Sequence, residues 1–416
     1  MAKSFIRYIA VFAVCCMLFG CADLLSTPPE TSPTIEQAYK EDPTAFVVFS
    51  RSTAPYEIYV PIEEMMKYQS ILPIYNGTWF RDQLNGEDLC LYNAYLYAME
   101  NYYIYFSMYV EDNDRDFYHV REALSLDSPF LAQNYDQSEW ISNLPTNYRG
   151  EQISVRVEQF TESRHKKNMQ ALKKCQQIVA GIPTTCITQQ EKMEYLYRYV
   201  CDHVTYVDYD RVGKDDYLYD AVIEGETFCD GYSNMLNLLF KLIGVESYEA
   251  MGSDIKDPDT ATDEELENSN GHTWVVAKLD GKFYNFDPTY EDTDELDNET
   301  LYYFAFSDDL LDVKYSDLEE MRPKCADTSN DFLYADLVVD NIKDNDQIKQ
   351  IGKLTDKLAK EKTYSSVVGV KTATTEKQLD KMLDKYFRYV SRIKYIEVYP
   401  YYTRNGAILH INVKKR

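Results

Sequence analysis

The sequence predicts an α+β fold, and three observations predict it. Apolar residues recur at three- and four-residue steps over several segments, which is the helical period. Two alternating runs meet at Asp280-Gly281, the signal of a tight hairpin. Near residue 335 the pattern changes to short strands interleaved with helices, which sets off a small α/β unit at the C-terminus. With 416 residues, 45% of them apolar, the chain can bury two or three cores. A formal net charge of −26 would repel phosphate backbones and anionic lipids, so no nucleic acid is expected as a partner and the charge reads as solvated acidic surface.

At the start, Lys3 and Arg7 form a positive segment before an apolar run over residues 8–19 that is too short to span a bilayer, the make-up of a secretory signal. The run ends in LFGC at 18–21, which resembles the bacterial lipobox, with Phe19 bulkier than the usual residue there. That resemblance implies cleavage before Cys21 and a lipid on Cys21. The Pro-, Ser- and Thr-rich residues that follow read as a tether. The expectation is a signal peptide over 1–20, a tether over 21–45, and an exported protein held to a membrane by its lipid, periplasmic or at the cell surface. Of nine cysteines, Cys15 and Cys16 leave with the signal, and Cys90, Cys175, Cys186, Cys201, Cys229 and Cys325 lie beyond Cys21. No pair has C-x-x-C spacing and no H-E-x-x-H occurs, so neither a metal nor a cofactor is expected. In an exported chain some could be disulfide-bonded, Cys175 and Cys186 being nearest in sequence.

Residues 86–109 carry Leu89, Tyr92, Leu96, Met99, Tyr103 and Phe106 on one helical stripe, which predicts a packed helix. Residues 148–160 alternate like a strand, and a helix starting at Thr161 follows with Met169, Leu172 and Ile178 on its stripe. Residues 46–185 are accordingly expected to be mainly helical. Thr188 and Glu191 form a capping box whose helix buries Met193, Leu196 and Val200; His203 falls on the same stripe, as a core histidine does. A further helix carries Tyr232, Met235, Leu236, Leu239, Phe240 and Ile243 at helical spacing, and Gly244 closes it. Thr227 stands three residues before Asp230, a capping-box-like spacing that puts Cys229 in the first turn. There, unpaired N–H groups and the macrodipole favour negative charge and lower a thiol's pKa. The acidic stretch 253–271 lacks the glycine of a calcium-binding EF-hand loop and reads as a solvated loop.

Residues 271–290, GHTWVVAKLDGKFYNFDPTY, are two strands around a two-residue turn. Counting back from that turn pairs Leu279 with Lys282 and sets Trp274 opposite Asp287. His272 and Asp287 then become diagonal neighbours on one face, within side-chain reach. Pro288 has to stand at the strand end, because it cannot donate to a ladder. The last unit, 327–416, reads as a strand, a helix with Ile348, Ile351, Leu354 and Leu358, the strand SSVVGV, a second helix, and two strands joined by Asn405-Gly406, with His410 structural in the last.

A Cys at a helix start, then a His and an Asp paired on a hairpin, is the chain order of a thiol triad. Cys229-Asp230-Gly231-Tyr232, His272-Thr273-Trp274 and Asp287-Pro288, with lead-in segments at 202–210 and 219–229, resemble the transglutaminase-like superfamily of papain-like thiol enzymes over about residues 190–310. One departure is Asp230, which stands where animal transglutaminases carry Trp. The resemblance implies a papain-like core, a helix bundle plus antiparallel sheet, over 186–326, between a helical N-terminal region and the small C-terminal α/β unit. Thiol chemistry then makes Cys229 the nucleophile, His272 the acid–base and Asp287 the group that fixes the imidazole. Gly231, Tyr232 and Trp274 fall in the substrate and oxyanion region, with Trp274 shielding the His–Asp pair from water. The implied partner is a protein or peptide, whose amide is opened through an acyl-enzyme that water resolves (peptidase or amidase) or an amine resolves (acyl transfer). The alternative is a catalytically silent binding or scaffold protein that keeps the fold. A serine hydrolase is disfavoured, as no G-x-S-x-G occurs.

Overall fold

The computed structural model describes residues 33–51, 57–70, 79–101, 103–111, 117–127, 141–144, 151–157, 162–208, 216–253, 271–292, 301–311, 316–317, 322–361, 365–371, 376–390, 396–403 and 406–413. The signal segment, Cys21, residues 254–270 and Asn405 lie outside the described residues. Contacts group the chain into two units, one of residues 1–76, 81–124 and 135–165, the other of 77–80, 125–134 and 166–416.

The first unit corrects two expectations. Beside its helices it holds a five-stranded antiparallel sheet: β1 (Phe46–Ser50), β2 (Glu57–Pro61), β3 (Tyr105–Val110), β4 (Ile141–Leu144) and β5 (Glu151–Arg156), in the order β2-β1-β3-β5-β4. The helix α1 (Gly86–Glu100) stops nine residues short of the expected 109, where Asn101 turns both its N–H and its side-chain amide onto the Tyr97 carbonyl. Tyr103 and Phe106 are buried beyond it, packing on Phe49 from a connection and a strand. A strand that hides every second residue happened to extend the helical spacing. The stretch expected as a tether is helical over Pro33–Glu41, and Tyr39 stacks on Tyr59 at 4.2 Å, which gives that helix a place to bury an aromatic ring.

In the second unit α2 (Glu162–Ala180) follows, with Leu172 and Ile178 inward and Met169 outward. The helix α3 (Gln189–His203) opens with the expected capping box, Thr188 Oγ1 accepting from the Glu191 N–H and the Glu191 carboxylate accepting from the Thr188 N–H. His203 is exposed rather than in the core. It lies in the last turn, its ring stacked on Tyr199 at 3.9 Å, where a basic side chain meets the helix's open carbonyl end. After β6 (Thr205–Tyr206), which pairs in parallel with β7 (Glu226–Thr227), comes α4 (Cys229–Leu242). Antiparallel strands β8 (Ser247–Ser253), β9 (Gly271–Leu279), β10 (Lys282–Phe286) and β11 (Ser316–Asp317) form a sheet ordered β10-β9-β8-β11, on which α4 packs.

The second unit ends in β12 (Leu337–Val339), α6 (Asn345–Glu361), β13 (Ser365–Val370), α7 (Glu376–Tyr389), β14 (Ile396–Tyr402) and β15 (Ala407–Val413), with one short helix, α5 (Pro288–Glu291), upstream of them. The sheet order is β12-β13-β15-β14, with only β12 and β13 parallel. Val368, Val370, Leu409 and Ile411 on one face pack with Ile348, Ile351, Leu379 and Met382 of the two helices. From the opposite face, Val367 and Ile408 enter a second cluster with Trp274, Val276, Tyr302 and Phe306. His410 is buried near Tyr302, ring centroids 5.8 Å apart. Among the described residues no helix is long and apolar enough to cross a membrane. Cys175 and Cys186 are not bonded to each other, and Cys90, Cys201, Cys229 and Cys325 are free thiols as well.

Candidate active site

The hairpin register is as counted from the sequence, Leu279 with Lys282 and Val275 with Phe286. Its turn residues Asp280 and Gly281 both have positive φ, 51° and 83°, the backbone of a type I′ turn. With that register, His272 in β9 and Asp287 just past β10 meet on one face, Nε2 to Oδ2 at 2.6 Å. Both are buried, at 6% and 3% exposure. Pro288 opens α5, and Asp287 caps it: Oδ1 accepts from the Tyr290 N–H at 3.2 Å while Oδ2 holds the imidazole. One carboxylate therefore fixes the helix start and the ring together.

Cys229 is the first residue of α4, 9% exposed, and it lies within hydrogen-bonding reach of His272. Because Nε2 faces Asp287, Nδ1 is the ring nitrogen left for the sulfur. Burial opposes charge on His272, yet the Asp287 carboxylate and its hydrogen bond, with Cys229, outweigh burial and raise the imidazole well above its ordinary range. The capping box expected at Thr227 does not form. Phe228 is the N-cap, no side chain caps α4, and the Thr227 hydroxyl is buried against Gly231 without a hydrogen-bond partner. With no side chain capping the first turn, the Cys229 backbone N–H is left to serve an anion.

Of the three residues expected at the substrate and oxyanion region, none lies open to a ligand. Gly231 lets Thr227 pack close: a Cβ there would stand 2.1 Å from Thr227 Oγ1. Tyr232 is fully buried and donates to the Val204 carbonyl at 3.0 Å, and its hydroxyl also meets Asp292. Trp274 is 2% exposed, donates to Asn285 Oδ1 at 2.9 Å, and lies parallel to His272 at 6.1 Å. The side chains of Tyr232 and Trp274 are thus buried and bonded inward behind the site.

Four groups escaped the sequence reading. Tyr290 stacks on His272 at 4.4 Å, and only its position after Asp287-Pro288-Thr289 hinted at it. Glu291 is buried and accepts from the N–H groups of Tyr302 and Tyr303 and from the Tyr197 hydroxyl, which also donates to the Asp287 carbonyl at 2.9 Å. Burial pushes its carboxyl up to about 8. Asp230, noted only as a departure, accepts from the Cys229 thiol at 3.6 Å. Glu249 of β8 is 2% exposed, and burial first, then the neighbouring Asp230, raises its carboxyl well above the usual range. No local pattern marks a buried acid on a strand.

A thiol on a helix start, set against an imidazole and carboxylate on a hairpin, defines the class: this is a thiol-enzyme-type fold. Residues 175–288, which hold all three groups, match the family model of the transglutaminase-like superfamily, so the chain carries a transglutaminase-like domain. No curated protein matches the chain. Among solved structures, a TGase shares 14% identity and a TM-score of 0.24, covering 38% of this chain and 47% of its own. The periplasmic domain of TgpA from Pseudomonas aeruginosa shares 13% and 0.23, over 37% of this chain and 64% of that one. A candidate cysteine protease from Cytophaga hutchinsonii shares 11% and 0.22, over 36% and 61%. This chain thus spans about half of the first structure's length, and likenesses at these scores carry no argument about activity.

Proposed function

We propose that the chain is a thiol enzyme acting on amide bonds of proteins or peptides through Cys229, His272 and Asp287. The observation that carries the reading is the buried 2.6 Å contact between His272 and Asp287, with Cys229 close enough to act on the same imidazole. The Cys229 proton passes to His272 Nδ1, and Asp287 supports the imidazolium it creates. The thiolate attacks the amide carbonyl, a C–S bond forms, and the carbonyl electron pair moves onto oxygen, toward the uncapped first turn of α4. As the pair returns, the C–N bond breaks, and the departing nitrogen takes the proton from His272. The acyl-enzyme is then attacked by water or an amine, whose proton goes to His272 as the C–S bond breaks. Without the Trp that follows the nucleophile in animal transglutaminases, we favour water as the acceptor. The same proposal places the protein outside the cytoplasm, lipid-anchored through Cys21.

The test is incubation with a glutamine-containing protein library, with and without an added primary amine, followed by mass spectrometry. New termini or deamidated side chains that vanish with Cys229→Ala support the reading, and amine adducts would assign the transfer branch. Product unchanged by Cys229→Ala, or none with either protein, overturns it.

A further inference from the structure

Helix α4 places polar residues at Asp230, Asn234, Asn237 and Lys241, one stripe at steps of four, three and four. Such a stripe normally faces water. Here Asn234, Asn237 and Lys241 are buried, and the stripe runs beside Ser247, Tyr248 and Glu249 of β8. Lys241 Nζ donates to the Asp127 carbonyl at 3.0 Å, and burial brings its ammonium down to about 8. Glu249 Oε1 has no hydrogen-bond partner, although the Asn237 amide lies close enough to favour the carboxylate. The seam reaches the nucleophile at Asp230, the residue next to it.

We propose that Asp230 controls the ionisation of Cys229: its carboxylate accepts a hydrogen bond from the thiol and disfavours a second anion beside it, so the sulfur is armed when Asp230 takes up a proton. This rests on the reading of Cys229 as nucleophile. The charged and titratable groups acting on Asp230 come from three elements: Cys229 on α4, His272 on β9 and Glu249 on β8. The contact with sulfur is direct, 3.6 Å, whereas His272 acts on Asp230 only through space and more weakly. A carboxylate in direct contact with the sulfur opposes a negative charge there. Enclosure of the Asp230 carboxyl holds its pKa above the ordinary value, and Glu249 is a second acid in the same seam. In acid, neutral Asp230 can donate its O–H to the thiolate, while the thiol proton resides on His272 Nδ1. As pH rises, Asp230 ionises and the thiol form is favoured.

The test is the pH profile of Cys229 alkylation by iodoacetamide, read by mass spectrometry on the full chain, for wild type, Asp230→Asn, Asp230→Ala and His272→Ala, with melting curves to confirm folding. Above the pH at which Asp230 ionises, loss of the carboxylate in either Asp230 variant raises the alkylation rate about tenfold over wild type, and below that pH the profiles converge. Asp230 profiles that overlay wild type, with His272→Ala displaced, overturn the control by Asp230 and leave the triad standing. A His272→Ala profile that overlays wild type removes the triad, while the Asp230 variants still decide the carboxylate's own effect.

Discussion

At the residue scale, Asp287 does two tasks with two oxygens, one for the imidazole and one for the Tyr290 N–H. Asp287→Asn should lower amidase activity by about 10²–10⁴-fold, because the amide presents a donor where the ring needs an acceptor. It should also change the pH dependence of stability. Since the folded pKa of His272 is raised, its contribution is fully present below the unfolded value of about 6.5 and fades as pH rises through the folded value. The melting temperature of Asp287→Asn should therefore lie furthest below wild type near pH 6 and converge with it in alkali; a constant gap would contradict this. The pairing of His272 with Asp287 was legible from the sequence because a two-residue turn fixes register, and register fixes which side chains share a face. Asp230 and Glu249 were not, since whether a carboxylate is enclosed depends on what packs over it.

At the element scale, the first turn of α4 depends on Gly231 yielding to Thr227. Gly231→Ala should destabilise by about 1–3 kcal/mol through overpacking, although alanine is the better helix former. Adding Thr227→Ala should restore most of the loss in thermal unfolding, and failure of that rescue would place the cost elsewhere. The turn α5 depends on Glu291. Glu291→Gln would face an amide toward backbone N–H groups, costing about 1–3 kcal/mol. The sign with pH follows from its raised carboxyl: stability is fully present below the unfolded pKa and lost as pH rises through about 8. The deficit of Glu291→Gln should then narrow between pH 5 and pH 9, and a widening deficit would refute this account. Helix periodicity revealed α3 with its capping box. The same periodicity overran α1, because Tyr103 and Phe106 are buried for reasons of sheet pairing.

For the whole molecule, residues 166–416 form one unit, and Val367 and Ile408 complete a cluster around Trp274, Tyr302 and Phe306. The C-terminal strands and helices were legible one by one, through their periods, whereas their attachment behind the hairpin was not, because side chains from both faces of that sheet are apolar. A chain ending at Asp336 would uncover the aromatic side of this cluster. It should melt at lower temperature and bind a hydrophobic dye; melting like the full chain would contradict the shared core.

The most direct measurement is the rate of iodoacetamide modification at each cysteine at pH 6, in wild type and His272→Ala. A free thiol is ionised there only to about one part in 300. The account predicts that Cys229 reacts far faster than Cys90, Cys175, Cys186, Cys201 and Cys325, and that His272→Ala slows it by about 10²-fold. Slow labelling of Cys229 in both proteins, at the rate of the other thiols, would contradict it.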